Sequence, residues 1–204
     1  MTVLLNCLAI GITVALLTFL IGRIAVPEFF NQMNIDQVKS SIDGEKYNVQ
    51  GDLNCPTCAS DLLANIHKDV NKLFAHLKKV VPNDPRSHRL FNRYKIENVY
   101  EGRPSPGGLG DTSYTLNKGK KVVYCIRSGR DNRKIHEKNV VLYTVIHELS
   151  HICGKLYDGH GAEFQANFKW LLQHAVDIGI YQPEDYRRRP KEFCGIMINS
   201  SILY

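Results

Sequence analysis

The run His147-Glu148-Leu149-Ser150-His151 constrains this chain more than any other feature. Two imidazoles at positions i and i+4 share a face when the segment is an α-helix. The flanking residues agree with a helix: Val140, Val141, Leu142, Val145, Ile146, Leu149 and Ile152 recur every three or four positions, Asn139 suits an N-cap and Gly154 suits a stop. One side of the helix then presents two histidines, with a glutamate one residue along, and the other side belongs to a core. Two surface histidines beside a glutamate would satisfy the same spacing without any chemistry, so context has to decide.

That context is a mixed domain. Leu62, Leu63, Ile66, Val70, Leu73, Phe74, Leu77 and Val80 give an amphipathic helix over Ala59 to Val81, ended by the breakers Pro82-Asn83-Asp84-Pro85. Extended runs follow at Lys95 to Tyr100, Thr112 to Leu116 and Val122 to Ile126, the last two flanking the turn signal Asn117-Lys118-Gly119. A further helix runs from about Ala162 to Ile178, with Gly179 as its stop. Helix, strands, helix, helix is the order of an α+β fold.

The charge distribution divides the chain. Of 26 Lys and Arg and 20 Asp and Glu, none precedes Arg23. Val3 to Gly22 is an uncharged, mostly apolar stretch long enough to cross the roughly 30 Å hydrocarbon layer of a bilayer as a helix. It lacks the basic n-region and short apolar core of a cleaved signal peptide, and a soluble helix apolar all round would need burial on every side. A transmembrane anchor over residues 1–22 is the expectation, followed by a juxtamembrane stalk over 23–52 and a domain over 53–204. Arg23 places that domain on the cytoplasmic side of a single-pass membrane protein. The sequon Asn199-Ser200-Ser201, close to the end, argues little for the opposite side.

The net charge is +6, with basic groups at Arg86 to Arg93, Lys118 to Lys121, Arg127 to Lys134 and Arg187 to Lys191. Such groups suit anionic headgroups or nucleic acid, although scattered surface charge is commoner. Six cysteines, one of them Cys7, leave an odd number in the domain, which implies folding without a disulfide framework. Cys55-Pro56-Thr57-Cys58 could form a local disulfide, remain an inert pair, supply half of a zinc site, or carry redox chemistry at a helix N-terminus.

Two imidazoles on one helix face can converge on one Zn²⁺, and Glu148 can polarise a water held there, taking its proton and passing it to a leaving amine. A catalytic zinc takes a third protein ligand. His160, between Gly159 and Gly161 at the start of the next helix, is the candidate, with Glu163 and Asp158 as alternatives; Cys153 faces another side of its helix and belongs to the core.

His147-Glu148-x-x-His151, a short loop, then His160-Gly161-x-x-Phe164 resembles the minimal zinc-metallopeptidase core of the SprT and WLM families, including compact versions in large DNA viruses. The likeness covers about Thr112 to Ile178. It implies a zincin-like domain in which His147, His151 and His160 are the metal ligands and Glu148 is catalytic. It also implies an edge strand, with Val122 to Ile126 in position, that aligns a substrate by β-addition. Tyr157, Tyr181 and Tyr186 are candidates for a hydrogen bond to the oxyanion. The eight-residue loop between His151 and His160 fits neither family cleanly. The longer metzincin pattern fails at Tyr157, which stands where its last histidine belongs. Proteolysis of proteins attached to DNA, with which the two families are linked, is not carried over to a chain expected to be membrane-anchored.

The expectation is therefore a membrane-anchored zinc peptidase acting on a protein or peptide substrate, with nucleic acid an unlikely partner. The rival readings are a zinc-stabilised structural membrane or virion protein without turnover, and a nucleic-acid-associated protein using the basic groups.

Overall fold

The structure, a computed structural model, describes residues 34–104, 113–129, 134–155 and 159–204. Ile35–Tyr204 form one compact unit. It opens with strands β1 (Ile35–Lys39) and β2 (Lys46–Gln50), an antiparallel hairpin. The Asp43 carboxylate accepts from the Glu45 amide and the Tyr47 hydroxyl, which shapes the turn at Gly44. The hairpin is pinned to the following helix, where the Asp61 carboxylate accepts from the Ser40 hydroxyl and from both the amide and the hydroxyl of Ser41, each at 2.7 Å. Residues 35–50 of the segment expected as a stalk thus belong to the folded domain: Ile35 and Val38 in β1 stand three apart and Tyr47 and Val49 in β2 two apart, too little periodicity to stand out from mixed polarity.

Helix α1 (Pro56–Val80) buries Leu63, Ile66, Val70, Leu73 and Leu77, and α2 (Pro85–Arg93) follows at once. The Asp84-Pro85 pair, read as a breaker, is a helix start: Asp84 accepts from the Arg86 amide as N-cap, and Pro85 occupies the first turn, where no N–H is needed. Strands β3 (Val99–Glu101), β4 (Tyr114–Leu116) and β5 (Lys121–Tyr124) complete a sheet of order β1-β2-β3-β5-β4. The β2/β3 and β3/β5 pairs are parallel, and the β4/β5 hairpin is antiparallel. Its turn holds Asn117, Lys118 and Gly119 at positive φ, and a Cβ on Gly119 would lie 2.8 Å from the Arg93 carbonyl oxygen. The edge strand is therefore β4; Val122 to Ile126, expected there, starts in the interior strand β5 because β3 takes its other side.

Helices α3 (Lys138–Cys153) and α4 (Ala162–Asp177) pack on each other, and a small hairpin of β6 (Lys191–Phe193) and β7 (Ile196–Ile198) closes the domain. The α+β class is the one the element order implies. The transmembrane helix is a correction: no helix among the described residues is long and apolar enough to cross a membrane, and Val3 to Gly22, on which that expectation rested, lies outside them. The longest described helix, α1, carries Asp61, Lys68, Asp69, Lys72, Lys78 and Lys79, so it is amphipathic. The single-pass, cytoplasm-facing localisation loses its support with the anchor.

Two bridges correct the expectation of a disulfide-free domain. Cys55 joins Cys58, and Cys125, at the end of β5, joins Cys194 in the β6/β7 turn across 69 residues of sequence. Cys153 is the one free cysteine among the described residues, and it is buried. The basic groups are also less available than their sequence suggests. Arg127 is fully buried, with Nε donating to Glu101 Oε1 at 2.5 Å and its guanidinium also donating to the Asn54 carbonyl; Glu101 in turn accepts from the Gln50 amide. Arg187 and Arg188 pair with Asp185, and Lys191 pairs with Glu137 and Glu184.

Candidate metal centre

Helix α3 carries the histidine pair, and its C-terminal end is held from outside. The last carbonyls of a helix have no partners within it. Here Lys118 Nζ donates to the His151 carbonyl (2.9 Å), Arg93 Nη1 to those of Ile152 and Gly154 (2.9 and 2.8 Å), and Arg89 Nε to that of Cys153 (2.5 Å). Cations at a helix C-terminus also oppose its negative dipole end. Two of the basic groups noted in the sequence thus fix the turn that ends in His151. At the other end, Glu137 rather than Asn139 is the N-cap residue; the Asn139 side chain donates to the Gln182 carbonyl and the Glu184 carboxylate.

The loop after α3 returns His160 to the pair. His160 Nε2 lies 3.0 Å from His147 Nε2 and 3.3 Å from His151 Nε2, and one ligand atom from each of the three rings falls within 4.8 Å of the others. Three imidazole nitrogens converging in this way cannot all be satisfied by sharing protons pairwise, but they can all direct lone pairs at one cation. Burial, with the neighbouring His151 and His160 rings, pushes His147 down to about 3, so its ring is neutral near pH 7, the form that ligates a metal. The donor set is the all-histidine one that suits Zn²⁺.

Glu148, one residue along, points to a different side of the turn and is 3% exposed. Burial raises its pKa to about 7, with the Thr115 hydroxyl on edge strand β4 opposing the shift. Its Oε2 is buried and has no hydrogen-bond partner among the described residues. A carboxylate oxygen kept dry and unpaired beside three imidazoles is suited to exchanging a proton with a group held there.

Phe164, three residues into α4, packs against all three rings at centroid distances of 4.6 Å (His147), 4.3 Å (His151) and 4.7 Å (His160). It sets their spacing from behind. Of the alternative ligands, Glu163 accepts from the Lys155 amide and so braces the loop, and Asp158 lies outside the described residues. Of the tyrosines proposed for an oxyanion, Tyr157 also lies outside them, while Tyr181 and Tyr186 are buried around Tyr143. Cys153 is core, as its helix position implies, and burial pushes its thiol up to about 12.

No protein-family model matches the chain. The uncharacterized protein R325 of Acanthamoeba polyphaga mimivirus is 32% identical over 198 residues, covering 94% of this chain and 96% of that protein. This chain belongs to the R325 family. The uncharacterized protein 042R of invertebrate iridescent virus 3 is 30% identical over 145 residues, 68% of this chain and 79% of that protein. Both relatives come from viruses, in keeping with the resemblance to compact viral proteins. Among solved structures, Wss1 from Saccharomyces cerevisiae matches with a TM-score of 0.49 and 22% identity, over 64% of this chain and 86% of that one.

Beside the imidazoles lies a cleft of about 510 Å³ that sequence reading does not anticipate. Its near wall is α3 and α4, through Tyr143, Thr144, Phe164 and Phe168, and its far wall is the segment from Phe193 to Ile202. Of the near wall, Tyr143 and Thr144 fall outside the apolar positions by which α3 is read from the sequence. The far wall carries no spacing signal, because it reaches the site through tertiary contacts, the Cys125–Cys194 bridge among them.

Proposed function

We propose that this chain is a zinc-dependent peptidase, in which His147, His151 and His160 hold the metal and Glu148 is the general base and then the general acid. The observation that supports this most is the convergence of three imidazole nitrogens beside a buried, unpartnered carboxylate oxygen in the lining of a cleft. Zinc, when bound, supplies Lewis-acid polarisation of a peptide carbonyl and lowers the pKa of water towards neutrality. Glu148 Oε2 takes the proton of the attacking water and returns it to the departing amine. The dry setting of Glu148 keeps its proton affinity high enough for both halves of that exchange. Edge strand β4, whose Thr115 neighbours Glu148, offers a main-chain rim along which an extended peptide can add as a further strand. Phe164 and the cations on the end of α3 hold the imidazoles in place before substrate arrives.

Two variants test this reading. Metal analysis of the purified full chain should find about one zinc per chain, lost in the double variant His147→Ala/His151→Ala. The Glu148→Gln variant should keep its zinc and lose peptide hydrolysis by about 10²-fold or more. A wild-type chain that folds without binding zinc, or a Glu148→Gln variant of undiminished activity, overturns the proposal.

A further inference from the structure

The cleft beside the imidazoles is one-sided. His147, Glu148 and His160 line it and His151 does not, so it leads from the three rings towards the N-terminal end of α3, past Thr144 and Tyr143. Its far wall is the C-terminal segment, where Phe193, Ile196, Ile198 and Ile202 face it. Glu148 is the one Asp, Glu, Lys or Arg among the described lining residues, and it stands beside His147 on α3. Most of the surface the lining presents is apolar and aromatic, with the polar groups of Thr144, Gln165, Asn199 and Ser201 between.

Three independent contacts keep the far wall in place. The Cys125–Cys194 bridge ties it to the end of β5. The Phe193 ring stacks on His136 with centroids 5.0 Å apart, and Tyr143 donates its hydroxyl proton to the Ser200 carbonyl at 3.3 Å, spanning the cleft from α3 to the tail. A pre-formed apolar cavity closed by a covalent tether suits a fixed apolar guest.

We infer that this cleft is the specificity subsite of the chain, taking one large apolar side chain, such as leucine or phenylalanine, from the residue adjoining the bond to be cut, with Thr144, Ile198 and Ile202 as the residues that set the preference. The inference rests on the peptidase reading for its meaning, and the chemistry of the walls selects the guest. An aliphatic or aromatic side chain gains burial against Phe168, Ile198 and Ile202. A carboxylate would be desolvated against walls that hold no Lys or Arg among the described residues. Apolar pockets discriminate by about 10- to 200-fold for differences as small as a methylene, and discrimination against charge should be no weaker.

The test reads binding, independently of turnover. Isotope-labelled full chain is titrated with N-acetyl-leucine methylamide, N-acetyl-phenylalanine methylamide and N-acetyl-aspartate methylamide, and backbone amide shifts are followed. The two apolar probes should move Thr144, Ile198 and Ile202 and bind at least about tenfold more tightly than the aspartate probe. Ser200→Trp, at an exposed tail position lining the cleft, should abolish those shifts; Thr144→Phe should do the same from the opposite wall, so a folding failure in one variant leaves the other to decide. Equal affinity for the three probes, or shifts elsewhere in the domain, overturns the inference. Concentration-dependent shifts of the same residues without any probe would assign the cleft to a second copy of the chain and overturn it too. Probe binding as expected in a protein that cuts no peptide would overturn the peptidase reading and, with it, the role of the cleft in cleavage, leaving an apolar side-chain site.

Discussion

The wall of the cleft that carries the imidazoles comes from α3 and α4, between Tyr143 and Phe168, whereas the facing wall comes from the tail after Lys191 and joins the sheet through a bridge that spans 69 residues of sequence. The first wall is held by many small contacts: helical hydrogen bonds, the Phe164 ring, and cations on the α3 carbonyls. The second depends on one covalent link, one ring stack and a few hydrogen bonds. Chemistry and guest selection are thereby assigned to parts of the molecule with different mechanical support. The expectation is that each can be disturbed without the other, although Tyr143 on the first donates to the Ser200 carbonyl on the second.

The largest effect should come from the metal itself. If zinc binds only the native chain, saturation at 1,000 times Kd stabilises the fold by about 4 kcal/mol. Chelation should lower the melting temperature of the wild type and leave the His147→Ala/His151→Ala variant unmoved. Amide exchange should speed up on chelation in α3 and α4, and much less after Lys191. Uniform acceleration through both walls would show that they are one cooperative unit and break the comparison.

Removing the long bridge, as Cys125→Ala/Cys194→Ala, should act on the other wall. Closing a loop of 69 residues is worth about 4 kcal/mol in the chain-entropy account. The variant should unfold at correspondingly lower urea, exchange its amides faster over residues 191–204, and keep about one zinc per chain. Loss of zinc along with the tail would make the far wall part of the metal site.

The same contrast explains what could be read from the sequence. His147, Glu148, His151 and His160 were visible because helix periodicity puts i and i+4 on one face and because a glycine-flanked histidine follows within one loop. The meeting of Thr115 with Glu148, of Phe193 with His136, and of Cys125 with Cys194 depends on tertiary geometry, and no local spacing encodes it. Asp84-Pro85 was legible as punctuation but read with the wrong sign, since the same pair that stops one helix caps the next. The β1/β2 hairpin was missed because five-residue strands leave little periodicity to see, and the odd cysteine count hid the bridges because Cys153 is the one left over.

A smaller effect is expected from loosening the first wall at its end. Arg93→Met removes a donor shared by the Ile152 and Gly154 carbonyls, and hydrogen bonds from a charged group contribute about 1.5–3 kcal/mol. Stability should fall by about 2 kcal/mol, and zinc should bind more weakly because His151 sits on the turn that Arg93 holds. Probe affinity in the cleft should change less than zinc affinity, since the cleft runs away from His151. A larger change in probe affinity would mean that the end of α3 also positions the tail.

The smallest effect should follow loss of the short bridge. Cys55 and Cys58 are exposed, close only one helical turn, and sit where the Cys55 Sγ accepts from the Cys58 amide as the N-cap of α1. So short a loop removes little entropy from the unfolded chain, and Cys55→Ala/Cys58→Ala should cost under about 2 kcal/mol, part of it from the lost cap. Zinc stoichiometry and probe affinity should both stay at wild-type values. One route could connect this corner to the cleft: the buried Arg127 guanidinium grips the Asn54 carbonyl, while Cys125, two residues before it, tethers the tail. If the Cys55/Cys58 variant weakens binding of the leucine probe without touching zinc, that route carries strain from the start of α1 to the far wall alone, and the division between the two walls becomes sharper.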